Sequence, residues 1–191
     1  QFCREGMEFI DAPVSGMQAR AEDGTLTMMC GGKESLIEQL TPLFSKMATS
    51  VIYMGEAGSG QLAKLINQLL FDINTAAIAE ILPMAVKLGL DPETIGKVIN
   101  SGTGGSYASG FFIPNILKNT FDKGYPMENA YKDLISGAEI SARYKVPTPV
   151  LAAATATYQQ ALLAGYGMSD KGAMIKVFEN LLGVEFRARQ E

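Results

Sequence analysis

The chain has 191 residues, 47% hydrophobic and 19% charged, with a formal charge of −4 and no histidine. That length and balance suit a soluble chain able to bury a core, and the negative charge offers no basic field for a nucleic-acid backbone. Without histidine there is no Ser-His or Cys-His nucleophile pair and no histidine-ligated zinc. Acid–base chemistry falls to Lys, Asp, Glu, Tyr or Cys.

No apolar run is expected to reach the roughly 18 residues of a membrane span. Residues 1–8 carry both charges instead of an apolar signal segment. They also lack a starting methionine, so the chain is expected to begin inside a longer protein. Cys3 and Cys30 have no metal-ligand spacing and are expected to be thiols in a reducing, cytoplasmic setting, with no metal.

Met7–Ala12 (MEFIDA), closed by Pro13, predicts a strand. Thr25–Cys30 predicts a second, ended by Gly31-Gly32. Residues 34–47 place Leu36, Ile37, Leu40, Leu43, Phe44 and Met47 on one helical face. Ser50–Met54 predicts a third strand, stopped by Gly55. This is the closing part of an α/β sheet domain. It is too little to cover both sheet faces, so a front portion or another chain is expected to complete it.

From Gly58 the pattern is helical. Gly60–Leu88 predicts one helix of about 28 residues, roughly 42 Å long, whose charges before Lys87 are Lys64, Asp72 and Glu80. A helix apolar nearly all round is buried on most sides, by later helices or a second subunit. Pro83 is expected to kink it. Further helices are predicted at 92–100, 111–119, 127–145, 147–164 and 170–182, with a glycine-rich loop at 101–110. Pro147 and Pro149 suit a first turn, and Asp170 suits an N-cap.

Three segments can carry chemistry. Asp11-Ala12-Pro13-Val14-Ser15-Gly16 follows the first predicted strand, where ligands bind in open α/β sheets. Its hydroxyl and backbone N–H groups suit a substrate carboxylate, and the same residues suit a plain strand-ending turn. In Gly58–Asn67 (GSGQLAKLIN) glycines lead into a helix on which Gln61, Lys64, Asn67 and Gln68 share an arc of roughly 120°. A lone helical lysine is usually a snorkelling surface residue. A partly desolvated one can serve as a base near neutral pH. The Gly-x-Gly is a weak phosphate signal without a ribose-binding acid downstream. Tyr131-Lys132-Asp133-Leu134 lies on a predicted helix, where Lys132 and Asp133 read as surface charges.

Together these segments resemble the β-hydroxyacid dehydrogenase family of 3-hydroxyisobutyrate dehydrogenase and tartronate semialdehyde reductase. DAPVSG (11–16) with GTLTMMCGG (24–32) is similar to that family's substrate-binding segment and the strand after it. GSGQLAKLIN (58–67) is similar to the segment with the catalytic lysine, and YKDL (131–134) to a third motif. The likeness runs in order along nearly the whole chain, without the family's N-terminal glycine-rich turn for the cofactor pyrophosphate. It implies the fold: an α/β remnant of a Rossmann-type NAD(P)-binding domain over 1–57, then an all-α domain over 58–191. The latter would be like the C-terminal domain of 6-phosphogluconate dehydrogenase, beginning with a long interdomain helix.

The resemblance also implies an NAD(P)-dependent oxidoreductase, with NAD or NADP, interconverting a short β-hydroxyacid and its aldehyde acid. Lys64 would be the general acid/base and Asn67 would hydrogen-bond the substrate near its hydroxyl. Ser15 and the Gly16 backbone would grip the carboxylate. Lys132 would lie near the nicotinamide, supported by Asp133. The helical domain would build a homodimer or homotetramer, with no nucleic-acid or membrane partner. Two residues depart from the pattern. Met17 stands where the family usually has a second glycine and is expected to crowd the carboxylate site or reshape substrate choice. Gln68 stands where a second asparagine is common and is expected to change the fit. The absent histidine sets aside the decarboxylating 6-phosphogluconate dehydrogenases, and Lys64 argues against imine reductases. The alternative reading is a truncated, non-catalytic helical dimerisation module unable to bind NAD(P) by itself.

Overall fold

The computed structural model describes residues 6–189, so Cys3 lies outside the described residues. The chain forms two compact units, the first running to Gln68 and the second from Leu69. Their boundary falls inside the long helix that starts near residue 58, so the first turns of that helix pack with the sheet.

In the first unit, β1 (Val14–Ser15), α1 (Met17–Glu22), β2 (Leu26–Gly31), α2 (Glu34–Phe44) and β3 (Ala48–Gly55) follow in order. The sheet order is β1-β2-β3, with β1 antiparallel and β3 parallel to β2. Side chains alternate along β2. Met28 and Cys30 enter a small core with Ile37, Phe44 and Ala48, and Leu26 packs against it. Thr27 therefore points to the opposite face, directly across from Ser15 of β1. Burial, and secondly the charge of Asp11, push the Cys30 thiol upward in pKa and keep it protonated.

The predicted strand Met7–Ala12 is corrected. Of those residues only Asp11 pairs, exchanging N–H···O bonds of 3.0 and 2.8 Å with Gly31. Regular strand begins at Val14. Pro13 between them can accept from Met29 N–H, at 2.9 Å, but has no N–H to return, so the ladder is interrupted there. The helical face drawn over 34–47 is also narrower than expected. Only Ile37 and Phe44 are buried on α2, which ends at Phe44, leaving Leu43 and Met47 exposed. α1 has no sequence signal of the kind that marked the others.

α3 (Ser59–Lys87) leads through the second unit, followed by α4 (Pro92–Ser101), α5 (Tyr107–Leu117), α6 (Met127–Tyr144), α7 (Pro149–Leu163) and α8 (Ile175–Leu182). α3 continues through Pro83, whose side chain is buried. Asp91 caps α4 by accepting from Thr94 N–H at 2.9 Å, with Pro92 at its first position. α5 begins four residues before its expected start because Ser106 and Ser109 cap it reciprocally. The helix predicted over 170–182 is a 3₁₀ turn, Lys171–Met174, capped by Asp170, and then α8. Ala76, Ala79 and Leu82 of α3 meet Phe112 and Ile116 of α5, Leu134 of α6 and Tyr158 of α7 in the core.

The expectation that no segment is apolar enough for a membrane is also corrected. By length and composition α3 is, with a mean hydropathy of 1.6 over its most apolar window. Part of that apolar surface is core packing. The helix also carries Asp72, fully buried in the protein interior. The Lys171 ammonium donates to Asp72 Oδ1 at 2.6 Å, Tyr158 OH donates to the same oxygen at 3.0 Å, and the ammonium lies 3.8 Å from the Phe71 ring centre. Burial raises the Asp72 pKa against the pull of Lys171, and lowers that of Lys171 against the pull of Asp72. Desolvation thus opposes both charges, and each is held mainly by the other.

Lys171→Met is therefore expected to destabilise the protein by about 3–5 kcal/mol, because it strands a buried carboxylate. Adding Asp72→Leu should recover most of the loss. Urea denaturation of both variants checks this, and a double variant as unstable as the single one would show the pair itself to be net stabilising.

Candidate active site

The site in the first unit is organised by Asp11. Its carboxylate is buried and accepts from Gly58 N–H at 2.5 Å and Gln61 N–H at 2.7 Å, around the N-terminus of α3. These are donors that a helix leaves unpaired, at its electropositive end. A side chain 47 residues away in sequence thus caps α3. The cap explains Gly60 as well, whereas Gly58 serves its positive φ of 98°. A Cβ at Gly60 would sit 2.3 Å from the Met29 carbonyl oxygen and 2.7 Å from Asp11 Oδ2. A Cβ at Gly31 would meet Asp11 Oδ1 at 2.5 Å. These glycines serve close approach between helix and sheet. With Asp11 on the helix N-terminus, α3 presents no phosphate-binding end.

With α3 fixed against β2, Asn67 reaches β1. Its Nδ2 lies 3.4 Å from Ser15 Oγ and 3.4 Å from Gln68 Oε1, both long, weak hydrogen bonds. Ser15 and Asn67, singled out from separate motifs, are brought together. Lys64 is half-buried one helical turn before Asn67, on a neighbouring line of the same helix. Gly16, at φ 149°, and Met17, at φ 58°, follow Ser15. The Met17 conformation is one that glycine adopts freely and that costs an L side chain about 1–2 kcal/mol. The half-buried Met17 side chain is therefore held in place by its surroundings.

Lys132 and Asp133 belong to the second unit, on α6. Lys132 is exposed, whereas Asp133 is half-buried and close enough to the interior pair for its charge to act on Asp72, Tyr158 and Lys171. An open groove of about 460 Å³ between α4 and α5, lined by residues including Asn100, Ile113 and Leu117, contains none of the residues singled out from sequence. Sequence reasoning quoted Asp11 without giving it a task, and passed over Arg20, which packs against Gly16. An aspartate followed by Ala-Pro just before a hydroxyl residue is a weak signal. Nothing local tells that its partners are the N–H groups of a helix start.

Residues 58–178 match the family described as the NAD-binding part of NADP-dependent 3-hydroxyisobutyrate dehydrogenase, and residues 1–55 match the NAD-binding domain of 6-phosphogluconate dehydrogenase. The chain belongs to the 3-hydroxyisobutyrate dehydrogenase family. It is 36% identical over 187 residues to the 2-(hydroxymethyl)glutarate dehydrogenase of Eubacterium barkeri, across 97% of this chain and 62% of that protein. It is similar to the solved 3-hydroxyisobutyrate dehydrogenase of Salmonella typhimurium, with a TM-score of 0.85 and 28% identity over 92% of this chain and 62% of that one. A Mycobacterium tuberculosis 3-hydroxyisobutyrate dehydrogenase solved with L-serine gives a TM-score of 0.77 at 32% identity, over 87% of this chain and 60% of that one. The chain thus spans about three-fifths of the length of these relatives. The Rossmann-type remnant followed by a helical domain is the family's arrangement.

Gly60→Ala is expected to cost at least about 2 kcal/mol, because the methyl group meets backbone oxygen and the Asp11 carboxylate with no room to relax. Thermal unfolding of the variant checks this. Unchanged stability would mean that the helix start shifts freely against β2.

Proposed function

We propose that this chain is the substrate-binding and proton-transferring part of an NAD(P)-dependent β-hydroxyacid dehydrogenase, which interconverts a short β-hydroxyacid and its aldehyde acid. The observation that carries the reading is the meeting of Ser15 and Asn67 beside the helical turn of Lys64. A hydroxyl, an amide and a half-buried amine are the groups needed to hold a hydroxyacid and move one proton. The similarity to dehydrogenases named for 3-hydroxyisobutyrate and 2-(hydroxymethyl)glutarate supports the same class of reaction.

In this reading the Ser15 hydroxyl and the Gly16 N–H bind the carboxylate. Asn67 orients the hydroxyl carbon, and Lys64 takes the hydroxyl proton during oxidation or returns it during reduction. NAD(P), when bound, supplies the hydride acceptor or donor. The family resemblance assigns Lys132 and Asp133, neighbours on α6, to the cofactor, and Lys132 is exposed. Two of the N–H groups at the start of α3 are already taken by Asp11.

A second copy of the chain is the partner. On α3, Leu62, Ile66, Leu70, Ile81 and Met84 are all 46–58% exposed. At 100° per residue they fall within an arc of about 100°, adjacent to the arc of Lys64 and Asn67. An exposed apolar stripe along a helix this long suits helix-to-helix docking between subunits.

Two measurements on the intact protein test this reading. Hydride transfer is followed with a panel of β-hydroxyacids and aldehyde acids, including 3-hydroxyisobutyrate and 2-(hydroxymethyl)glutarate, with both nicotinamide cofactors. Lys64→Ala should lower kcat at least about 100-fold while cofactor affinity is unchanged; near-full activity would remove Lys64 as the base. Light scattering should give a dimer or a multiple of one, and Leu70→Glu with Ile81→Glu should dissociate it. A wild-type monomer would leave the stripe without a second copy.

A further inference from the structure

We propose that Arg20 binds a second carboxylate of the substrate, so that the preferred β-hydroxyacid is a dicarboxylate. The inference rests on the reading of Ser15 and Gly16 as the site of the first carboxylate.

Arg20 lies in α1, one turn after Gly16. Its stem is against that glycine, since a Cβ on Gly16 would sit 2.8 Å from Arg20 Cβ and 3.2 Å from Arg20 Cδ. The guanidinium Nη2 donates to the Thr25 carbonyl and lies 3.5 Å from Thr27 Oγ1. Thr27 is the residue directly opposite Ser15 in the β1–β2 ladder. Opposed residues of antiparallel strands carry their side chains on the same face, with Cβ atoms about 5 Å apart. That face is the one turned away from the Met28 and Cys30 core. Asn67, Ser15, Thr27 and the Arg20 guanidinium therefore stand in a row on one polar surface.

The charge of Arg20 is uncommitted in that row. Its hydrogen-bond partners among the described residues are an uncharged carbonyl and a hydroxyl, and no carboxylate pairs with it. A guanidinium has five N–H donors in a planar fork, and among the described residues only Nη2 is engaged. Half-buried, held by its stem and by β2, it is a pre-set cation about one side chain from the first carboxylate site. A carboxylate is, with phosphate, one of the two groups that such a fork matches with paired hydrogen bonds. A monocarboxylate held at Ser15 would leave the guanidinium to water, whereas a substrate with a second carboxylate along its chain would reach it. Met17, half-buried and at φ 58°, is the first residue of α1, the helix that carries the arginine.

The test compares wild type, Arg20→Lys and Arg20→Met in the intact protein, with 2-(hydroxymethyl)glutarate and 3-hydroxyisobutyrate as substrates. Arg20→Met should raise KM for the dicarboxylate about 10- to 100-fold. KM for the monocarboxylate should stay within about threefold, and kcat should change little for either. Arg20→Lys should recover part of the difference. Binding is read separately by calorimetry, with glutarate and isobutyrate as unreactive probes. Loss of glutarate binding in Arg20→Met supports the proposal even if neither hydroxyacid is turned over, an outcome that would instead remove the dehydrogenase reading. Equal losses for both probes would make Arg20 a structural support of the segment and overturn the proposal. No loss for either would do the same. Weakened NADP⁺ binding with glutarate binding intact would move the arginine to the cofactor and overturn it as well.

Discussion

The arrangement of the first unit depends on one carboxylate. Asp11 is bridged to Gly31 through its backbone and takes two N–H groups at the start of α3 through its side chain. Hydrogen bonds to a charged acceptor contribute on the order of 1.5–3 kcal/mol each, and here they join three separate stretches of chain. Without that junction, Ser15 on the sheet and Asn67 on the helix would have no reason to meet. Glycine at 31 and 60 follows from the same junction, because any side chain there would collide with it. The motif that looks like a phosphate loop is a packing device.

The second unit is built differently. Its core is a layering of helices, each with an identifiable start, from Asp91 before α4 to the paired serines of α5 and Asp170 before the 3₁₀ turn. Within it Asp72, Lys171 and Tyr158 form a buried polar cluster beside Phe71, in which Asp72 Oδ2 has no hydrogen-bond partner among the described residues. Apolar residues of matching shape would be at least as stable there. The cluster ties α3 to α7 and to the 3₁₀ turn through Asp72 Oδ1, which accepts from both partners. The charge of Asp133 also acts on that cluster, raising the pKa of both Asp72 and Lys171.

Much of this was legible along the chain. β2, β3, α3, α4, α6 and α7 follow hydrophobic periodicity closely, because each buries one regular face. The failures share a cause. The apolar run at 7–12 looks like a strand but only Asp11 of it pairs, α5 was begun late because a serine capping pair looks like loop, and α1 is too short to show a period. No uninterrupted apolar run along α3 reaches a span's length, yet its mean hydropathy does, through core packing and one exposed stripe.

Order and spacing of DAPVSG, GSGQLAKLIN and YKDL by themselves determined the family and the expected chemistry, because the residue types that bind a hydroxyacid and move its proton are few and lie in short runs. Which of them act together was decided only by tertiary structure. Asp11 is 47 residues from Gly58, Ser15 is 52 from Asn67, and Asp72 is 99 from Lys171. The uncommitted charge of Arg20 likewise emerges only from the pairing of β1 with β2. A side chain's partners in space are set by strand register and helix packing, and neither leaves a local trace in the sequence.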